Sequence, residues 1–171
     1  LLDLRQGRSS IIQEGFDIVI GNPPFVSGLS APGKEIDKFA QQEDKGRGAL
    51  PDNQSAYLFL EQVFNILRTA GQVCLIQPDG LLYNRNAQDF RTYLFQKYRV
   101  DTILDFVSIR KLYEDADAKT IAVLAQASQP CNDHRITHQT FRRTVSVKEH
   151  ICFELDHYDR QHVSQKQVEE C

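Results

Sequence analysis

The sequence predicts an α/β fold built on a parallel sheet, and three observations lead there. Apolar, β-rich runs alternate with helical patterns in the order strand, helix, strand, helix, strand. The strand runs are unbroken in their apolar character, as in Val73-Cys74-Leu75-Ile76, which suits strands covered on both faces. The first of them leads directly into an Asn-Pro-Pro turn, at the carboxyl edge where open sheets of this kind hold ligands.

The four strands expected are residues 16–20, 72–77, 100–107 and 120–125. Between the first two, residues 53–69 predict a helix, with Tyr57, Leu60, Phe64 and Leu67 on one face and Gly71 as its stop. A second helix, 87–98, places Phe90, Leu94 and Tyr98 about one turn apart. Residues 26–51 are of another kind, rich in charge and carrying Gly28, Gly33, Gly46 and Gly48. They predict a mobile loop with one short helix at 34–41, and a loop of that length is usually functional or disordered. After residue 127 the pattern predicts one more strand (135–141), a helix (145–155) and a polar linker from Asp156. Residues 1–128 are therefore read as the main unit and 129–171 as an extension and linker.

Composition narrows the classes. Apolar residues make up 41% and charged residues 25%, an ordinary globular balance that argues against a disordered chain. No apolar run approaches the ~20 residues that cross a bilayer. Cys74, Cys131, Cys152 and Cys171 are irregularly spaced, so a cytoplasmic, disulfide-free protein is expected. The chain has no methionine and opens on Leu1-Leu2-Asp3, which reads as an excised piece of a longer protein. Its formal net charge of −3 does not advertise nucleic-acid binding, since phosphate contacts need Lys and Arg.

The chemistry is carried by Phe16-Asp17-Ile18-Val19-Ile20-Gly21-Asn22-Pro23-Pro24-Phe25. An exocyclic amine such as that of adenine is a poor nucleophile, because its lone pair is delocalised into the ring. Two acceptors aimed at its two N–H bonds favour a pyramidal nitrogen with the lone pair free for a methyl group. The Asn22 side-chain oxygen and the Pro23 carbonyl suit that task. Pro23 and Pro24 each hold φ near about −65° and offer no N–H, so the oxygens are set before substrate arrives. Phe25 supplies a flat face for the base. The plainer reading, a turn after a strand, would serve for the tripeptide alone. The preceding strand ending in glycine and the following aromatic make the segment far more specific.

These residues resemble the Asn-Pro-Pro-Phe/Tyr motif of amino-group methyltransferases, and the likeness extends over residues 17–126. Asp52-Asn53-Gln54-Ser55-Ala56-Tyr57-Leu58-Phe59, Gln77-Pro78-Asp79-Gly80, Leu104-Asp105-Phe106 and Ile121-Ala122-Val123-Leu124 follow in the family's order. The ordering is similar to the large adenine-N6 DNA methyltransferases of restriction–modification systems, in their C-terminal catalytic half. The resemblance implies a partial Rossmann-like sheet, mostly parallel, whose last strand (120–125) is antiparallel. It implies S-adenosylmethionine as donor, its main binding motif lying upstream of Leu1, with Asp3 as one acidic residue near the cofactor. It also implies duplex DNA with a flipped adenine as partner, the base packed between Phe25 and Tyr113. Base–aromatic stacking is worth ~1–3 kcal/mol per base. For Asp3 a surface position, and for Tyr113 ordinary loop packing, are the alternatives.

On this reading the piece alone does not methylate, and strand 16–20 has an exposed edge that invites self-association or another cover. Methylation of RNA or of a protein glutamine, and a non-catalytic DNA- or partner-binding role, remain the other functions considered. Cys131, His134, His138, His150 and Cys152 lack the tight ligand pairs of zinc sites, so no metal is expected. Arg142 and Arg143 suit either phosphate contacts or a solvated face, and residues 34–47 suit a lid or a DNA-contacting loop ordered by substrate.

Overall fold

The computed structural model describes residues 14–109, 119–147 and 150–170. Its main sheet has six strands, in the order β1 (Phe16–Gly21), β2 (Leu67–Pro78), β4 (Thr120–Gln126), β3 (Arg99–Asp105), β5 (Arg135–Thr140) and β8 (Arg160–Ser164). β1 is parallel to β2, and β3 to β5. β4 runs antiparallel to both β2 and β3, and β8 antiparallel to β5. Four of the six strands thus point the same way, and the expected antiparallel strand is β4, inserted between β2 and β3. All of the parallel strands' carboxyl ends fall on one edge, and Asn22 follows β1 there.

One face of the sheet is packed by α2 (Ser55–Val63) and α4 (Gln88–Lys97), with the four-residue helix α3 (Gly80–Tyr83) between them in sequence. Tyr57, Leu60, Phe90, Leu94 and Phe95 bury against Val73, Leu75, Ile121 and Val123. Burying each such side chain contributes about 1.5–3 kcal/mol. On the opposite face Ile18 and Ile20 are 59% and 77% exposed. β1 pairs only with β2 among the described residues, so it is an edge strand. No helix of the described residues is long and apolar enough to cross a membrane.

Several elements differ from expectation, each for a definable reason. The first helix ends at Val63, because residues 67–70 extend β2 and Leu67 pairs with Phe16. Gly71 is therefore no helix stop. It lies inside β2, where a Cβ would stand 2.7 Å from the Phe16 carbonyl oxygen, and the pairing register jumps between Phe16 and Ile18. Residues 26–51 do not form a loop with one short helix. They hold α1 (Ala31–Glu43), thirteen residues long, whose Ser30 cap accepts from the Gly33 N–H at 3.3 Å.

The expected helix at 145–155 is a hairpin, β6 (Arg143–Val147) pairing antiparallel with β7 (His150–Glu154). Phe153 of that hairpin packs against Phe141, which stacks on Phe106 with ring centroids 4.8 Å apart. The residues after Asp156 are no bare linker either. They form β8 and α5 (Gln165–Glu170), and Gln165 is buried. Its amide nitrogen donates to the Phe95 and Tyr98 carbonyls at 2.6 and 2.8 Å, and its oxygen accepts from the Val100 N–H at 2.9 Å.

Candidate active site

Residues 22–25, the Asn-Pro-Pro corner, leave the end of β1 without regular secondary structure. Gly21 closes the strand where a Cβ would meet Leu75 Cδ2 at 3.1 Å. Asn22 is exposed, Pro23 buried, Pro24 exposed and Phe25 half-buried. The buried proline fixes the chain to the body while the asparagine side chain faces solvent. Among the described residues neither the Asn22 side chain nor the Pro23 carbonyl has a hydrogen-bond partner. Both residues lie at the carboxyl edge of the sheet, directly after β1.

The chain beyond Phe25 is laced to the start of α2. The Gly28 N–H donates to the Asn53 carbonyl at 3.2 Å, Ser27 bridges Gln54, and the Ser55 N–H donates to the Val26 carbonyl at 3.0 Å. The Ser55 hydroxyl donates to the Pro24 carbonyl at 2.6 Å and accepts from the Val26 N–H at 3.2 Å. Asp52 and Asn53, with φ of 51° and 48°, turn the chain sharply so that Ser55 reaches this loop. Asn and Asp tolerate that left-handed region better than other non-glycine residues. Sequence reasoning saw Ser55 only as part of a family segment. The turn-forming Asp-Asn pair before it was the available signal.

Residues 31–47 are held to the body by a buried ion pair. Arg47 is fully buried and donates from Nε and Nη2 to the two Glu61 carboxylate oxygens, at 2.9 and 2.8 Å. It also bonds Asp37 of α1, and its guanidinium lies 5.4 Å from the Phe90 ring centroid. Burial alone would lower the Arg47 pKa; Glu61 and Asp37 outweigh it, raising the pKa and keeping the charge fixed. The segment expected as a lid ordered by substrate is therefore anchored without substrate.

Further along the same edge, Asp105 ends β3 and is buried. Its carboxylate accepts from the Tyr83 hydroxyl at 2.5 Å and the Val107 N–H at 2.9 Å, and shares a hydrogen bond with His138 Nε2 at 3.2 Å. Burial pushes this carboxyl upward, but those three hydrogen bonds and the His138 charge prevail and hold it below the usual carboxylate range. Burial, then Asp105, pushes the Tyr83 hydroxyl well above its ordinary value, so it remains a donor. An apolar cavity of about 170 Å³, lined by Leu82, Ile103, Ile136 and Val163, opens beside Tyr83 and His138. It is separated from the Asn22 corner by β2 and β4 and is not part of it.

His134 Nε2 lies 2.7 Å from the Val100 carbonyl, so both histidines near Cys131 serve hydrogen bonds within the sheet. Among the described residues no group of three or more His, Cys, Asp or Glu side chains is arranged to hold a metal. Of the predicted site residues, Asn22, Pro23, Pro24 and Phe25 form one corner, whereas Asp3 and Tyr113 lie outside the described residues.

Several solved structures share this fold. The structure is similar to the methyltransferase subunit of a type I restriction–modification system from Streptococcus thermophilus, with TM-score 0.64 and 14% identity, over 98% of this chain and 33% of that one. It is similar to the type IIG restriction endonuclease BpuSI, with TM-score 0.62 and 16% identity, over 90% of this chain and 20% of that one. It also matches the type ISP restriction–modification enzyme LlaGI, solved with a DNA substrate mimic, with TM-score 0.55 and 16% identity, over 81% of this chain and 15% of that one. The chain therefore spans a third or less of the length of these proteins. A search of curated protein sequences finds no match. The model of the Eco57I restriction-modification methylase family matches residues 5–113, more than half of the sequence. The chain belongs to the Eco57I restriction-modification methylase family.

Proposed function

We propose that this chain carries the target-base side of an enzyme that methylates the N6 amino group of adenine in duplex DNA, with S-adenosylmethionine as donor. The observation that carries the reading is the pair of free acceptors at the end of β1, the Asn22 side chain and the Pro23 carbonyl. Family membership supports methylation within a restriction–modification system, and the match to LlaGI, solved with a DNA mimic, supports DNA as partner.

In this reading the adenine swings out of the duplex, because its amino group is otherwise hidden in the stack. Asn22 and Pro23 accept its two N–H bonds, and Phe25 packs on one ring face, with Tyr113 proposed for the other. The oxygens are preset by two prolines, so no reorganisation is needed as charge develops on the nitrogen. The donor supplies the methyl group. At Gly15, Gly71 and Gly80 protein atoms fill the space where a Cβ is missing, at 2.6–2.7 Å, so none of these three lets a ligand approach the backbone. Cofactor binding is assigned to none of them, and Asp3 remains the one residue of this chain proposed for it.

The test is to incubate the purified full-length protein with unmethylated DNA and labelled S-adenosylmethionine, then digest the DNA to nucleosides. N6-methyladenine is expected, and Asn22→Ala is expected to lower turnover by about 10²–10³-fold. Label in RNA, in protein glutamine or on cytosine, or turnover unchanged by Asn22→Ala, would overturn the proposal.

A further inference from the structure

We infer that Ser55 is a positioning residue that sets the orientation of Phe25, by clamping both peptide groups that flank it. The inference rests on the reading of the Asn-Pro-Pro corner given above. The Pro24 carbonyl belongs to the peptide before Phe25, and the Val26 N–H to the peptide after it. One hydroxyl holds both: Ser55 Oγ donates to the first at 2.6 Å and accepts from the second at 3.2 Å. A serine hydroxyl has one hydrogen to give and two lone pairs to receive, so the two bonds form together. The Ser55 N–H adds a third bond, to the Val26 carbonyl at 3.0 Å.

The geometric consequence concerns φ and ψ of Phe25. Rotation about either one turns one flanking peptide plane relative to the other. With both planes tied to one side chain, neither rotation proceeds without breaking a bond to Ser55. The Cα–Cβ direction, and so the point from which the ring is carried, is fixed from a site thirty residues away in sequence. Phe25 is only half-buried, so packing alone does not lock it.

The placement is also made at the helix's expense. A hydroxyl at a helix start ordinarily satisfies one of the helix's own free N–H groups. Here the residue at the cap, Gln54, makes no side-chain cap bond, and the adjacent Ser55 turns its hydroxyl onto the corner instead. Ser55 itself is anchored from behind. Asn86 donates to Asp52 at 2.6 Å, steadying the left-handed turn that delivers the serine.

The experiment compares Ser55→Ala, Ser55→Thr and Asn22→Ala in the full-length protein. Methyl transfer is measured as kcat and as KM for S-adenosylmethionine. A duplex carrying 2-aminopurine at the adenine that the wild-type enzyme methylates reports, by fluorescence lifetime, how firmly the flipped base is stacked. Ser55→Ala is expected to lower kcat about ten- to a hundred-fold, the scale of a misplaced group. It should lengthen the 2-aminopurine lifetime and leave the KM for S-adenosylmethionine unchanged, and Ser55→Thr should restore both kcat and the lifetime. Should Ser55→Ala be unfolded at the assay temperature, Ser55→Cys gives the same readout, since a thiol is nearly isosteric and a poor hydrogen-bonding group. If Asn22→Ala abolishes turnover while the Ser55 variants keep wild-type kcat and lifetimes, the clamp is overturned and the corner stands. If Asn22→Ala leaves turnover intact, the corner reading fails and the clamp falls with it.

Discussion

Arg47 and Glu61 meet inside the protein as a two-pronged pair, Nε to Oε1 at 2.9 Å and Nη2 to Oε2 at 2.8 Å, fourteen residues apart in sequence. The pair joins the segment after the Asn-Pro-Pro corner to α2, the helix whose first residue holds that corner. With Asp37 bonded to the same guanidinium, α1 is tied into the same network. Charge is used here for geometry, because a hydrophobic pair of equal volume would lack the fixed bonding directions.

Removing one partner of this pair leaves the other buried and unpaired. Arg47→Ala is therefore expected to cost about 3–5 kcal/mol, read as a lower urea midpoint of unfolding. An unchanged midpoint would mean that Glu61 finds water or another partner at no cost.

Asp105 should give the protein a pH-dependent part of its stability. Its folded pKa lies below the ordinary 3.8, so the ionised carboxylate stabilises the fold above about pH 4. That contribution is lost as pH falls through the folded value. Asp105→Asn should be less stable than wild type at neutral pH, with the gap closing toward strong acid. Denaturant melts of both proteins across pH 2–7 measure it; a gap independent of pH would contradict the assignment.

Gly71→Ala should disturb the corner from a distance. The added Cβ would press on the Phe16 carbonyl oxygen at 2.7 Å and the Arg68 carbonyl oxygen at 2.9 Å, both of them backbone. Such overpacking typically costs about 1–3 kcal/mol. Because Phe16 opens the strand that ends at Asn22, turnover should fall along with the thermal midpoint. Equal stability and activity in the alanine variant would show that β1 shifts freely.

Gln165→Leu keeps the volume but removes the three bonds that tie α5 to the Phe95, Tyr98 and Val100 backbone. Each buried group left without a partner costs roughly 1–3 kcal/mol. The variant should lose at least about 2 kcal/mol in denaturant melts. Limited proteolysis should then cut first after residue 156, whereas wild type resists there.

What was legible in the sequence was local. Asn22-Pro23-Pro24-Phe25 could be located because proline restriction and a preceding apolar strand act within ten residues. The alternation of strands and helices was legible for the same reason, since burial writes its period into each segment. Even the hairpin had a local trace: Val145 and Val147, then Ile151, Phe153 and Leu155, alternate with a period of two. Its two runs are short, and Phe153 finds its partners Phe106 and Phe141 only across the fold.

By itself, then, the sequence determined the fold class and the Asn-Pro-Pro corner that follows β1. The tertiary structure alone decided that Ser55 grips the corner, that Arg47 finds Glu61 and Asp37, that His138 and Tyr83 converge on Asp105, and that Gln165 closes the tail onto β3. The physical reason is separation along the chain. A hydrogen bond between residues ten to seventy positions apart leaves no periodicity in either segment. It exists only once the hydrophobic face of the sheet has brought the two backbones together.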